Sequence, residues 1–503
     1  MNARTKLGLG VLVTGLAMGV LGDALLREGP WGLNLFVWIA ALVLVVLALA
    51  GWGGVRLAGG GRWLLIPALL FAAAFAWRDS IMLKFLSFVA LATALALAAF
   101  RAREGQLRVA GILEYALGMV LSGIMALIGI PLLAFNDIEW KEMGSEGRLP
   151  RTMAVARGFL FAVPLLIIFG SLFMEADAVF ESLVKDIFFI DLTTLLSHLF
   201  VSGFFAWVTA GYLRGLLVDT SVPLTVGGQP NFLGVGIIEI GVILGAINLL
   251  FLSFVIVQFR YLFGGHAIVQ ATSGLTYAQY ARRGFFELVA VAALVLPLLL
   301  GLHWLLRKEN PAHERIFRTL AAAQIALLFV IMASAVQRMR LYQIEYGLTE
   351  LRLYTLAFIG WLAVVFLWFM ATVLRGRREQ FVFGAMVAGF LSIGALHLAN
   401  PDALIIRTNL ARVDQGRSFD ARYAARRSAD AVPALIAGLP RLSHEDQCTV
   451  AGIVLHRWSP PASADWRTWN LARSRARERV KEILTTLRAV KSNCPNESQP
   501  DTD

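Results

Sequence analysis

The chain has 503 residues, 58% of them hydrophobic and 16% charged, with a mean hydropathy of +0.69. Soluble globular proteins carry about 25% charged residues, so a water-soluble fold of this size is excluded and lipid is the solvent to reason with. The formal net charge of +11 and the isoelectric point near 10.0 reflect Lys and Arg gathered at the ends of apolar blocks, where they face anionic headgroups; no nucleic-acid partner is implied.

In chain order, apolar blocks long enough to cross about 30 Å of hydrocarbon fall at 7–26, 31–51, 63–77, 81–100, 110–134, 155–173, 192–213, 235–258, 284–306, 316–337, 353–374 and 381–399. The first follows Arg4 and Lys6 like a secretion signal, but Gly22-Asp23-Ala24-Leu25 offers no small-residue cleavage site, so it reads as a retained span. The third is short, and only Arg78-Asp79-Ser80 separates it from the fourth, which predicts a tight helical hairpin. Glu175 to Ile190 reads as an amphipathic helix lying in the interface.

Charge bias conflicts along this list. Arg4 and Lys6, Arg56 and Arg62, and Arg101, Arg103 and Arg108 place the N-terminus in the cytoplasm, while Arg375-Gly376-Arg377-Arg378 places the C-terminus outside. Twelve crossings cannot satisfy both, so the expectation is eleven to thirteen, with the error expected in the glycine-studded block 110–134. Cys448 and Cys494 are the only cysteines and both lie in the polar tail. A pair confined to one small segment suits a disulfide in an oxidising compartment; two unrelated free thiols are the alternative. The tail is therefore expected outside the cytoplasmic membrane.

After Asn400-Pro401 the composition turns polar. Ser428 and Ser443 supply N-cap chemistry for two helices, and a third, beginning near Asp465, carries Trp469, Ala472, Ala476, Val480, Ile483, Leu487 and Val490 at steps of three and four. Arg473, Arg475, Arg477, Arg479 and Lys481 are then expected on its solvated faces. The expected architecture is all-α: a polytopic membrane bundle over 1–399, a small helical domain over 400–494, and a disordered end over 495–503.

Phosphate-binding glycine loops, paired-histidine zinc helices, Cys-x-x-Cys pairs and serine elbows do not occur, so no cofactor or metal is expected and catalytic residues stay unassigned. The informative residues are polar ones in or beside spans, because a buried ionisable group in lipid costs a few kcal/mol unless paired or hydrated. Asp191, Thr194, His198, Ser202, Thr209 and Tyr212 mark one helix face, either a polar path or a set of interhelical hydrogen bonds. Glu114 and Glu239 sit inside spans, and Arg283 and Glu287 are spaced to pair. If Glu239 met His198, the two would form a proton- or cation-handling site. Two polar clusters exceed simple anchoring: Arg78, Asp79, Ser80 and Lys84 at the hairpin tip, and a connection from Arg338 to Tyr354 that includes Tyr346, Glu350 and Arg352.

The runs Tyr277–Leu288, Tyr346–Tyr354, Asn400-Pro401-Asp402 with Arg407 and Asn409, Ser428–Leu435 and Asp465–Asn470 resemble a bacterial polytopic membrane family of unknown function, DUF4173/DUF4153-like. The resemblance implies the topology and an inner-membrane setting, and it brings no activity. Three functions are open, in this order: a transporter or channel-like protein for an ion or small solute, then an envelope sensor or scaffold whose tail binds a partner, and last a membrane enzyme acting on a lipid-linked substrate. The expected partners are the lipid bilayer and an unknown solute or envelope protein.

Overall fold

The structure, a computed structural model, describes residues 2–55, 61–101, 112–140, 192–218, 234–263, 285–307, 310–459 and 465–494, with isolated positions between 158 and 182. Ten helices among the described residues are long and apolar enough to cross a membrane, and Gly61–Trp77 is a shorter apolar one. The chain is a multi-pass helical membrane protein.

Helices α1 (Ala3–Leu26), α2 (Leu33–Trp52), α3 (Leu65–Trp77), α4 (Ile81–Arg101), α5 (Ile112–Leu132) and α6 (Leu192–Leu217) surround one core. Helices α7 (Ile237–Phe263), α8 (Phe285–Leu305), α9 (Pro311–Tyr346) and α10 (Glu350–Thr372) build a second, and α11 (Phe381–Ala399) leans on both through Val382. Small residues let α1 and α6 approach closely, as suits association in lipid, where helices gain little from hydrophobic burial. A Cβ built at Gly15 would stand 2.7 Å from that of Ala210.

The polar tail forms a cap of short helices: α12 (Pro401–Val413), α13 (Ala421–Ala425), α14 (Val432–Gly438), α15 (His444–Trp458), α16 (Leu471–Glu482) and α17 (Leu484–Ser492). Ile406, Leu435, Val450, Val454, Ala476, Val480 and Leu487 fill its own core. Ser428 and Ser443 accept the backbone N–H groups of Asp430 and Asp446, as their N-cap positions predict. The third predicted tail helix is broken instead. Asp465 caps a single turn, Trp466–Thr468, and Asn470 caps α16, which ends at Ile483 before α17. Trp469 therefore stays outside the helix, 44% exposed, rather than joining the apolar stripe.

Two other expectations need correction. The polar run from Arg338 to Tyr346 is not a connection: nothing in it breaks a helix, so α9 continues through it to Gly347, whose φ of 78° needs a glycine. The turn between α9 and α10 is only Gly347-Leu348-Thr349. The block 110–134 is not an upright span either. Ser122 donates to the Ala96 carbonyl, one residue beyond the Leu95 carbonyl that accepts from Tyr212. Asp137, about 22 Å farther along a helical path, pairs with Arg214, two residues beyond Tyr212. The segment after Ser122 is therefore strongly tilted and advances far less along the bundle than a span does. Pro131 and a π-helical turn at Leu133–Asp137 fall within it.

The cap rests on one face of the bundle, against the turns after α1, α3 and α9 and the end of α11. Because α1 ends and α10 begins on that face, Arg4, Lys6 and Arg375 through Arg378 share the opposite one. The predicted interfacial helix at 175–190 falls largely outside the described residues, as does the end over 495–503.

Candidate functional site at the cap–bundle junction

The hairpin between α3 and α4 is where cap and bundle meet most closely. The Arg78 guanidinium donates to Asp430 at 3.1 Å and, through Nε, to the His397 carbonyl at 2.9 Å. The Asp79 backbone N–H donates to the other Asp430 oxygen at 2.6 Å, while its carboxylate takes Lys84 at 2.6 Å and lies 3.5 Å from Arg473. Asn470 donates to the carbonyls of Phe75 and Arg78, tying down the end of α3, where helix carbonyls lack intrahelical partners. Arg473, expected on a solvated face, is 8% exposed, because its helix turns that side to the hairpin. Ser87 and the His397 imidazole lie 2.8 Å apart beneath this layer, and Trp77 stacks on His397 with ring centroids 6.0 Å apart.

A second layer lies at the α9–α10 turn. Asn409 grips it from α12, accepting from the Leu348 N–H and donating to the Leu348 carbonyl. Glu350 takes Arg427 at 2.5 Å and donates its backbone N–H to the Tyr423 hydroxyl. Arg427 is also 3.7 Å from Asp402, which accepts from both the hydroxyl and the N–H of Ser428. Burial pushes the Asp402 carboxyl above the usual carboxylate range despite Ser428 and Arg427, and does the same to Asp430 against the pull of Asp79 N–H and Arg78. Arg352 donates to the Gly347 and Tyr346 carbonyls and stands over the Tyr342 ring at 4.1 Å, so it closes the end of α9. Tyr346 itself is 53% exposed.

Other candidate residues lie apart. His198 does not meet Glu239: its Nδ1 is 2.5 Å from Asp23, which also pairs with Arg27, on the cap face. Glu239 is exposed near the start of α7, beside the bridge between Val235 and Leu306 on the opposite face. Glu287 is exposed in the first turn of α8; Arg283 and the Glu114 side chain fall outside the described residues. Cys448 and Cys494 are joined in a disulfide that ties α15 to the end of α17, Cα atoms 5.7 Å apart.

Spacing arguments missed Asp430, Asn470, Arg473, Asp402, Arg427 and Tyr423. Their partners lie tens to hundreds of residues away, 26 for Asp402 with Ser428 and 395 for Asn470 with Phe75, so no local periodicity marks them. Asp402, Asp430 and Asn470 do fall in three of the runs that carry the family resemblance.

Outside this junction, two buried polar clusters hold groups of the bundle together. Asp137, 1% exposed, holds Arg4 and Arg214 at 2.5 Å each, and Gln258 accepts from Ser334 and Arg338. The fold and the junction together define a polytopic helical membrane protein carrying a docked helical cap. The model of the domain of unknown function DUF4153 matches residues 65–438, and the chain belongs to that family. That match runs from the start of α3 to the end of α14, so it takes in the hairpin, the α9–α10 turn, Asp402 and Asp430. No curated protein and no solved structure matches the chain.

Proposed function

We propose that this protein is an envelope sensor or scaffold: the bundle anchors the cap, and the junction between them is the recognition site. The observation that supports it is the concentration of cross-chain polar contacts there. Arg78, Asp79, Glu350 and the Leu348 backbone, from two separate turns of the bundle, all bind cap residues. A transport path would instead align His198 and Glu239 on a shared cavity, and these lie toward opposite faces.

The cap face is read as extracytoplasmic in a bacterial inner membrane. The opposite face carries Arg4, Lys6, Arg62, Arg101, Arg315, Arg318, Arg375 and Arg377, as the positive-inside bias requires, and a disulfide in the cap suits an oxidising compartment. The test is in-cell crosslinking from the full-length protein, with photoreactive groups at exposed cap positions such as Arg422 and at bundle positions on the opposite face. Partner adducts from the cap alone are expected. Adducts confined to the opposite face, or solute flux through reconstituted protein that His198→Ala abolishes, would overturn the reading.

A further inference from the structure

Between the cap and the ends of α3 and α11 lies a cleft of about 460 Å³, lined by both ionic and apolar groups. Its lining includes Trp77, with Arg78 over the ring at 4.7 Å, and Asn400 at the α11–α12 corner. Trp77 ends the shorter apolar arm of the hairpin, beside the start of the membrane-length arm α4, and indole rings favour the headgroup level of a bilayer. The cleft thus opens at the depth where lipid headgroups lie.

Seven charged side chains line it. Arg78 is paired with Asp430 and Arg479 with Glu482. Arg407 on α12 and Arg475 and Glu478 on α16 are exposed and form no ion pair among the described residues. The uncommitted charges are therefore two guanidiniums and one carboxylate. A guanidinium binds phosphate oxygens through its fork of N–H donors, and a carboxylate accepts from a primary ammonium, which has three N–H donors to give. Together they match a phosphodiester carrying a neighbouring amine.

The adjoining bundle surface is apolar and open. On α11, Leu391 is 68% and Leu398 74% exposed, one stripe seven residues apart, and a Cβ at Gly394 between them would meet nothing within 4 Å. That stripe ends two residues before Asn400, at the cleft. Leu404, one turn before Arg407 on α12, is exposed as well.

We infer that the cleft formed by Trp77, Arg407, Arg475 and Glu478 binds the headgroup of an aminophospholipid of the phosphatidylethanolamine type, whose acyl chains lie along the Leu391–Leu398 face of α11. This rests on the junction being a recognition site and names the lipid as its ligand. Arg407 and Arg475 hold the phosphate, Glu478 accepts from the ammonium, and phosphatidylcholine, whose quaternary amine has no N–H, is discriminated against.

The test uses full-length protein in non-ionic detergent, titrated with dioctanoyl phosphatidylethanolamine, phosphatidylglycerol and phosphatidylcholine, with phosphoethanolamine and inorganic phosphate as headgroup-only arms. Bound lipid is counted by native mass spectrometry. Phosphatidylethanolamine is expected to bind best, and Arg407→Gln with Arg475→Gln to weaken it at least about tenfold. Glu478→Gln should remove the preference over phosphatidylglycerol. All three substitutions are at exposed positions, and hydrogen exchange at the Leu33 and Leu348 amides checks that the cap stays docked. Retention unchanged in the double arginine variant with the cap docked overturns the lipid inference and leaves the recognition reading standing on its crosslinking test. Displacement of the lipid by equal concentrations of inorganic phosphate would likewise overturn it in favour of a free anion.

Discussion

Removing the Asp430 side chain is expected to undock the cap from the α3–α4 hairpin. Asp430 and Arg78 have side chains 2% and 11% exposed, so Asp430→Ala leaves a largely buried guanidinium without its counter-charge. Breaking a buried pair from one side costs about 3–5 kcal/mol. The Asp79 N–H loses its acceptor too, worth roughly 1–3 kcal/mol. Two effects offset these: Arg78 keeps its bond to the His397 carbonyl, and burial already disfavours ionised Asp430. The low end of the range, about 3 kcal/mol, is the appropriate figure, which is about a hundredfold in the docking equilibrium. Hydrogen exchange reads it directly, because the Leu33 amide donates to the Trp469 carbonyl and the Leu348 amide to Asn409 across the junction. Both should exchange about a hundredfold faster, while amides around Leu328 in the second core stay unchanged. Arg78→Met combined with Asp430→Leu should recover most of the loss, since neither charge is then stranded. Arg441→Ala, which removes an exposed pair with Asp414, should change docking by less than about 1 kcal/mol. Equal effects of Asp430→Ala and Arg441→Ala would refute the buried-pair argument.

Docking should also depend on pH with a defined sign. Asp402 and Asp430 have pKa values raised above the ordinary 3.8 by burial, so the docked state favours their protonated forms. Their contribution to docking is greatest at low pH and weakens as the pH rises through the raised values; exchange protection of the Leu348 amide that increases from mildly acidic to neutral pH would contradict this. Opening the Cys448–Cys494 disulfide, which spans a sequence separation of 46, should destabilise the cap by about 2–4 kcal/mol, seen as faster exchange in α15 and α17 under reductant; unchanged exchange in reduced protein would count against it. Gly211→Ala should destabilise the bundle by roughly 1–3 kcal/mol, because the added carbon collides with the Ala126 carbonyl. Gly123→Ala, where nothing lies within 4 Å, should be neutral or slightly stabilising. The melting temperatures of the two variants in detergent provide the comparison, and identical shifts would refute the packing contrast.

The all-α membrane class was legible in composition and block length, because the absence of water in hydrocarbon forces backbone groups into helices. The hairpin tip at Arg78-Asp79-Ser80 and the serine caps of the tail were legible too, since these depend on neighbours a few residues away. The path of 110–134 was only half legible. Its glycines and its conflict with the charge rule marked it as doubtful, but its tilt depends on Ser122 and Asp137 finding Ala96 and Arg214. Arg473 illustrates the opposite error: four neighbouring basic residues made it look solvated, while the docking of α16 buried it against Asp79.

The sequence by itself determined which segments prefer lipid and where positive charge accumulates, both consequences of local composition acting through a uniform solvent. Tertiary structure alone decided what the intramembrane and interfacial charges do. His198 took Asp23 instead of Glu239, and Arg78 took Asp430 from 352 residues away. A charge in a poorly solvated place must find a partner, yet nothing local says which one; only the packing of cap on bundle selects it.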